Sequence, residues 1–380
     1  MKKPVYLDHN ATTPHDLEVI EAVLPFLKEA FGNPSSTHYY GIAPKKAVMH
    51  AREQVAHTLN AHPREIFFTS GGTESNNHAL RCAVMNPIRK GRHIITTQIE
   101  HPAVMSVFSY LEEKGFTATY LPVDASARVS MESVQRAMRP ETVLISVMHA
   151  NNEVGTLQPI REIAGLAREH GVLIHTDAAQ TLGKVPVDVR ELGVDLLSVA
   201  GHKVYAPKGI GALYIREGVS LEPFMRGAGQ ENGRRPGTEN VLGIVGLGKA
   251  CEIARRDLEK NRSRMQAMRD RFTAAVTNRL EGVRLNGHPE ARLPNTVNLS
   301  FRGVDAGRVL EEISLDVAAS AGAACHSEGV AVSHVLEAMG VPEAFARGTL
   351  RFSTGKTTTA EEIDHAAEAV VSAVRKLKTD

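Results

Sequence analysis

Between about residue 64 and residue 215, short apolar runs alternate with amphipathic segments. The runs Ile66 to Thr69, His93 to Thr97, Ala118 to Val123, Val143 to Met148, Val172 to His175, Leu196 to Val199 and Ala212 to Ile215 have the length and the β-rich composition of strands. Between them, Ser130 to Met138 and Ile160 to His170 space their apolar residues as an amphipathic helix does. This alternation predicts an α/β fold, a mainly parallel sheet of seven strands with helices over it. Ligands of such sheets gather outside the carboxyl ends of the strands, where loops and helix N-termini converge. The polar residues after each run can be placed by that rule. Thr69 leads into Ser70-Gly71-Gly72-Thr73, Thr97 into Glu100-His101, Met148 into His149 and Asn152, His175 into Asp177 and Gln180, and Val199 into His202-Lys203. All of them fall on one edge.

The pattern changes after Arg216. The stretch Gly227 to Thr238 is rich in glycine and predicts a loop. From Glu239 one long helical pattern runs towards Leu280, bridging two domains. Beyond it, strand signals at Thr296 to Phe301 and Thr349 to Phe352 mix with helices at Ser333 to Met339 and Ala360 to Lys378, which reads as a smaller α+β domain. Two domains also suit 380 residues, a length at which one hydrophobic core usually stops growing.

Charge and cysteine usage narrow the function classes. With 44 basic against 43 acidic residues the net charge is +1, so nothing favours nucleic acid or an anionic membrane as a partner. No window approaches the roughly 20 apolar residues of a membrane span, and the N-terminus has no apolar stretch behind Lys2-Lys3, so a cytoplasmic protein is expected. Cys82, Cys251 and Cys325 are too widely spaced for a disulfide framework or a zinc site, and no metal is expected.

Each candidate residue carries a bland reading beside a chemical one. Lys203 is a surface lysine or the amine that holds pyridoxal phosphate as a Schiff base, with Asp177 keeping the ring nitrogen protonated. Gly72 and Thr73 form an ordinary strand-to-helix turn or a phosphate cradle at a helix N-terminus. His101 is a capping histidine or one that stacks on an aromatic cofactor and moves protons. Asp177 follows an apolar strand, so its carboxylate needs a partner, either a helix cap or ion pair within the protein or a pyridinium N–H. Gln180 is placed to reach the phenolic oxygen of the same ring. Cys325 lies among small residues, Ala318 to Gly329, as a core residue in a tight bend or as a thiol that approaches substrate, with His326 beside it. Arg351, alternating with Leu350 and Phe352, is an exposed edge-strand arginine or a bidentate clamp for a carboxylate.

The ordered set is more specific than its members. Tyr6-Leu7-Asp8-His9-Asn10-Ala11-Thr12-Thr13, Gly32-Asn33-Pro34-Ser35-Ser36, Thr69 to Asn77, Glu100-His101, Ala150 to Gly155, His175 to Gln180 and Gly201-His202-Lys203 resemble the group I cysteine desulfurases of the NifS/IscS type, across nearly the full length. The resemblance implies fold-type-I pyridoxal-phosphate architecture, with a large domain over 16–258 and a small domain from 1–15 plus 259–380 that carries the cysteine loop. It also implies a homodimer that converts L-cysteine to L-alanine, with a persulfide passed to an acceptor protein such as an iron–sulfur scaffold. Carried over by position, Lys203 would hold the cofactor, His101 would stack on its ring, Asp177 would meet the ring nitrogen and Gln180 the ring oxygen. Gly72, Thr73 and His202 would hold the phosphate, with Thr238 arriving from the partner subunit, and Asn152, Ala200 and Gly201 would be further cofactor contacts. Asn152 and Arg351 would bind the substrate carboxylate, with Asn33 as a further contact, and Cys325 would attack the substrate sulfur.

Three departures from that family pattern stand out. Ala200 occupies a place where many members have a phosphate-binding serine, Asn232 stands where many have arginine, and Cys325 is followed by His326-Ser327-Glu328-Gly329. Gly322 to Ser327 and Arg235 to Asn240, with no serine at Ala200, also resemble the selenocysteine lyase branch, which makes release of selenium from L-selenocysteine the alternative activity. An aminotransferase would need Lys203 and Asp177 but have no use for Cys325, and a silent sulfur-trafficking scaffold would need neither.

Overall fold

The computed structural model describes residues 3–88, 90–321, 323–326 and 329–379; the side chains of 323–326 and 329–331 lie outside the description. After a short strand β1 (Val5–Tyr6) come the strands of the large sheet: β2 (Ile66–Thr69), β3 (His93–Thr97), β4 (Thr117–Leu121), β5 (Thr142–Ser146), β6 (Leu173–Asp177), β7 (Leu196–Ala200) and β8 (Gly211–Ile215). Their spatial order is β2-β8-β7-β6-β5-β3-β4. The seven expected strands are therefore present, and the sheet is parallel except at β8, which runs antiparallel to both β2 and β7. The cause is the connection: Gly201 to Ile210 is too short to carry a crossover helix, so the chain turns back on itself.

Neighbouring residues of the inner strands enter opposite cores. Ile95, Ile145, Ile174 and Leu197 pack on one face, while Ile94, Leu144, Leu173 and Leu196 pack on the other. Both faces are covered by helices, which is why these strands read as unbroken apolar runs. Only the edge strand β4 is largely uncovered.

A second core surrounds a four-stranded antiparallel sheet in the order β12-β15-β10-β9, made from β9 (Val283–Asn286), β10 (Thr296–Phe301), β12 (Ser320–Ala321) and β15 (Thr349–Ser353). Phe301 and Phe352 meet Phe272 of the helix Leu258–Thr277 and Val370 of the helix Ala360–Thr379 there. The N-terminus belongs to this core through Leu7, and β1 pairs in parallel with β11 (Val317–Ala318). Beside it, β13 (Ala323–His326) and β14 (Gly329–Val332) pair as an antiparallel ribbon whose backbone includes Cys325.

The long helical pattern from Glu239 is two helices, Val241–Arg256 and Leu258–Thr277, with a bend at Asp257. The first buries Ile244, Leu247 and Cys251 in the core of the large sheet, the second buries Phe272 and Val276 in the other core. One straight helix could not face both. Among the described residues no helix is long and apolar enough to cross a membrane.

Candidate active site

The carboxyl ends of β2, β3, β5, β6 and β7 open on a cavity of about 280 Å³. Lys203 enters it from the short helical turn Gly201–Lys203 directly after β7, and its Nζ donates to the carbonyls of Asn10 and Ala11, the latter at 2.7 Å. The N-terminal segment is therefore folded over this turn, an arrangement tightened by Thr13, whose amide and hydroxyl both donate to the His202 carbonyl at 2.9 Å.

Asp177, the last residue of β6, is buried in the cavity wall. Its Oδ2 accepts from Asn76 Nδ2 at 2.7 Å and its Oδ1 from the Ala179 amide at 2.9 Å. Each oxygen keeps a lone pair for a further donor. His101 is a capping histidine that also reaches the cavity. It is the N-cap of the helix Pro102–Glu113, with Nδ1 accepting from the Ala103 amide at 3.1 Å, and it lines the cavity. That contact leaves the ring proton on Nε2.

In the same cavity, the helix Gly72–Val84 begins with no side-chain cap, so the amides of its first turn are available to an anion. The turn before it needs glycine. Gly71 has a φ of 151°, and a Cβ on Gly72 would lie 3.2 Å from the Ala200 methyl. Thr73, Ala200 and His202 complete this corner.

Burial governs the electrostatics. It pushes the Lys203 amine down to about 8, assisted by the Arg351 guanidinium and opposed by Asp8 and Asp177. Burial, with Lys203, Lys208 and Lys184 nearby, holds His202 down at about 4. His101 is likewise lowered by burial, with Asp177 opposing and Lys203 and His334 adding to it. Behind it, burial pushes the Glu100 carboxyl up to about 8, although it accepts from the Met148 amide and the Thr97 hydroxyl.

The far end of the cavity is built by Asn152 and Arg351. Arg351, in the middle of β15, donates from Nη2 to Asp8 Oδ1 at 2.8 Å and to Ser320 Oγ at 3.1 Å, and from Nη1 to the Asn152 carbonyl at 3.1 Å. Its neighbours Leu350 and Phe352 point into the second core, as alternation requires.

Ten of the expected residues thus line one cavity: Gly72, Thr73, His101, Asn152, Asp177, Gln180, Ala200, His202, Lys203 and Arg351. Gly201 lies behind it, where a Cβ would come within 2.8 Å of Ile210. Asn33 and Thr238 are outside it, and both are exposed. The Cys325 side chain lies outside the described residues. Sequence reasoning gave no role to Asn10 and Asn76, which also line the cavity. Asn76 had a visible signal, three residues after Thr73 and hence on the same helical face; Asn10 had none, since its place depends on the N-terminal segment folding back.

These residues fit pyridoxal phosphate on the structure's own terms. An uncapped helix N-terminus suits the phosphate, a buried carboxylate with spare lone pairs suits the pyridine N–H, and an amine of lowered basicity lines the same cavity. Comparison with known proteins points the same way. The family description "Aminotransferase class-V" matches residues 5–365, and the chain belongs to that family. The chain is 48% identical over all of its length to a cysteine desulfurase IscS of Dictyoglomus turgidum, covering 96% of that protein. It is 47% identical over 99% of its length to the one from Methanosarcina thermophila, covering 93% of it. Among solved structures, a NifS-like protein superposes with a TM-score of 0.93 at 38% identity, over 98% of this chain and 100% of the other. One described as SspA in complex with cysteine gives a TM-score of 0.82 at 38% identity, over 94% and 100% of the two chains.

Proposed function

From its membership of the aminotransferase class-V family, we propose that this chain is a pyridoxal-phosphate-dependent cysteine desulfurase that converts L-cysteine to L-alanine and leaves the sulfur as a persulfide on Cys325. The observation that carries the reading is the convergence of Lys203, Asp177, the uncapped Gly72–Thr73 turn and Arg351 on one cavity, in a chain so close to named desulfurases over its full length. Those relatives do not favour selenocysteine lyase.

Bound in this cavity, pyridoxal phosphate supplies an electron sink for charge developing at the substrate Cα. The protein's residues do the rest. Gly72, Thr73 and His202 would hold the phosphate, Asp177 would meet the ring nitrogen, and Gln180 would meet the ring oxygen. Arg351 and Asn152 orient the substrate carboxylate. The Lys203 amine, with its basicity lowered to about 8, moves a proton at Cα near neutral pH. His101, its Nδ1 occupied by the Ala103 amide, offers Nε2–H to the ring side of the cavity. The Cys325 thiolate forms a bond to the substrate sulfur as the carbon–sulfur bond breaks, and the three-carbon remainder takes up protons and leaves as alanine. An acceptor protein such as an iron–sulfur scaffold then takes the sulfur.

The same proposal includes a cytoplasmic homodimer and the division into 16–258 and 1–15 plus 259–380. Phe31, Tyr39 and Tyr40 are exposed beside the Asn33 turn, which adjoins a groove that Pro34 and Ser35 share with residues 229–232 and 239. A second copy on this face would cover them and carry Thr238 to a neighbouring cavity. The activity is tested with Cys325→Ala. That variant is expected to keep the visible absorbance of the bound cofactor and to lose sulfur transfer from cysteine to a thiol acceptor. Sustained transfer would remove Cys325 from the mechanism, and turnover of L-selenocysteine far above L-cysteine would overturn the desulfurase reading.

A further inference from the structure

Among the described residues Lys184 is the one buried lysine, and its Nζ has one hydrogen-bond partner, Gln180 Oε1, at 2.9 Å. It lies in the turn after β6, held by its own amide on the Thr181 carbonyl at 3.0 Å. Lys203 and Arg351 act on it and His9 and His202 feel it, and among the described residues no acid forms an ion pair with it. An amine placed there without a counter-ion is costly, which calls for a reason. Desolvation, with Lys203 and Arg351 nearby, brings it down to about 7.

The reason lies in what Lys184 does to Gln180. The two ends of a glutamine amide are alike in shape, and only their partners decide which way it faces. Here the partners discriminate. Lys184 donates to Oε1 whether it is an ammonium or a neutral amine, and Nε2 donates to the Asn10 carbonyl at 3.0 Å. A flipped amide would set its NH₂ against the ammonium and its oxygen against a carbonyl.

We propose that Lys184 is a positioning residue: by fixing the Gln180 amide with its NH₂ towards the cavity, it guarantees a hydrogen-bond donor for the ring oxygen of the cofactor. The inference rests on the reading of Gln180 as the partner of that oxygen.

The holoenzyme, Gln180→Ala, Lys184→Met and the double variant are compared by two readouts. One is the pH midpoint of the cofactor's visible band, the other the dissociation constant for pyridoxal phosphate added to apoprotein. Loss of a donor to the ring oxygen makes its proton harder to remove, so the midpoint moves up in both single variants, with cofactor binding weakened roughly five-fold. In the Gln180→Ala background, Lys184→Met should add less than about two-fold, because the two act in series. Additive effects would show that Lys184 acts as a charge and not through Gln180, and a silent Lys184→Met would equally overturn the inference. A silent Gln180→Ala would instead remove Gln180 from the ring oxygen, a failure of the underlying reading. Should Lys184→Met fail to fold, Lys184→Gln is scored on the same two readouts.

Discussion

The two ends of the cavity are made in different ways. The end proposed to take the cofactor is assembled from the termini of strands in one sheet, and its chemical groups are fixed by hydrogen bonds: Asp177 by Asn76 and the Ala179 amide, His101 by the Ala103 amide. The end proposed to take the substrate carboxylate joins Asp8, Asn152 and Arg351, far apart in the chain, across two sheets. There the arginine that would clamp the substrate already holds a carboxylate of the protein's own. A site meant to keep its ligand permanently is rigid and prepaid by backbone geometry, whereas a site that must release its ligand at every turnover holds a competing partner ready.

The largest effect is expected at the fixed end. Lys203→Ala removes the amine proposed to move the proton and hold the cofactor, so kcat for alanine formation should fall roughly 10⁴-fold. Burial has lowered this amine to about 8, so it is increasingly neutral as pH rises through that value. The rate at which apoprotein captures pyridoxal phosphate, which needs the neutral amine, should therefore rise with pH up to about 8 and then level off, as stopped-flow absorbance would record. A capture rate that stays flat across that value would mean that Lys203 is not the capturing amine.

The same contrast decides what could be read from the chain alone. Residues following apolar runs are placed by the sheet, so Thr73, His101, Asp177 and Lys203 could be put on one edge from periodicity, and all of them line the cavity. The roles assigned to them come from resemblance. Tertiary pairings carry no such periodic signal. Nothing in Asp8 announces Arg351, nothing in Asn10 announces the lysine whose amine its carbonyl accepts, and the bend at Asp257 appears only because two separate cores compete for one helical pattern. The antiparallel direction of β8 was implicit in a connection too short for a crossover.

Asp8→Asn sharpens the comparison at the releasable end. The substituted amide would still accept a hydrogen bond from Arg351 but would no longer neutralise it, so an incoming carboxylate meets a stronger cation. KM for cysteine should fall roughly ten-fold, in line with the worth of a charged hydrogen bond. Thermal stability of the apoprotein should drop at the same time, because a largely buried guanidinium loses its counter-ion. Opposite movement of affinity and stability is the signature of a competing partner. A rise in KM would show instead that Asp8 shapes Arg351 for its substrate.

The smallest expected effect returns to the fixed end and to the alanine where many family members have serine. The Ala200 methyl faces Gly72 across the corner that takes the phosphate, with the uncapped amides of the first helical turn beside it. In the proposed site those amides, Thr73 and His202 would already surround the anion, so one missing hydroxyl would cost little. Ala200→Ser should tighten cofactor binding by roughly five-fold or less, the net worth of one added hydrogen bond, and leave KM for cysteine unchanged because Arg351 and Asn152 lie at the other end. Measured by equilibrium dialysis against apoprotein, a gain confined to the cofactor would confirm that the two ends act independently. A shift in KM of the same size would show that tightening the phosphate moves the substrate clamp, and the division drawn between the ends would fail.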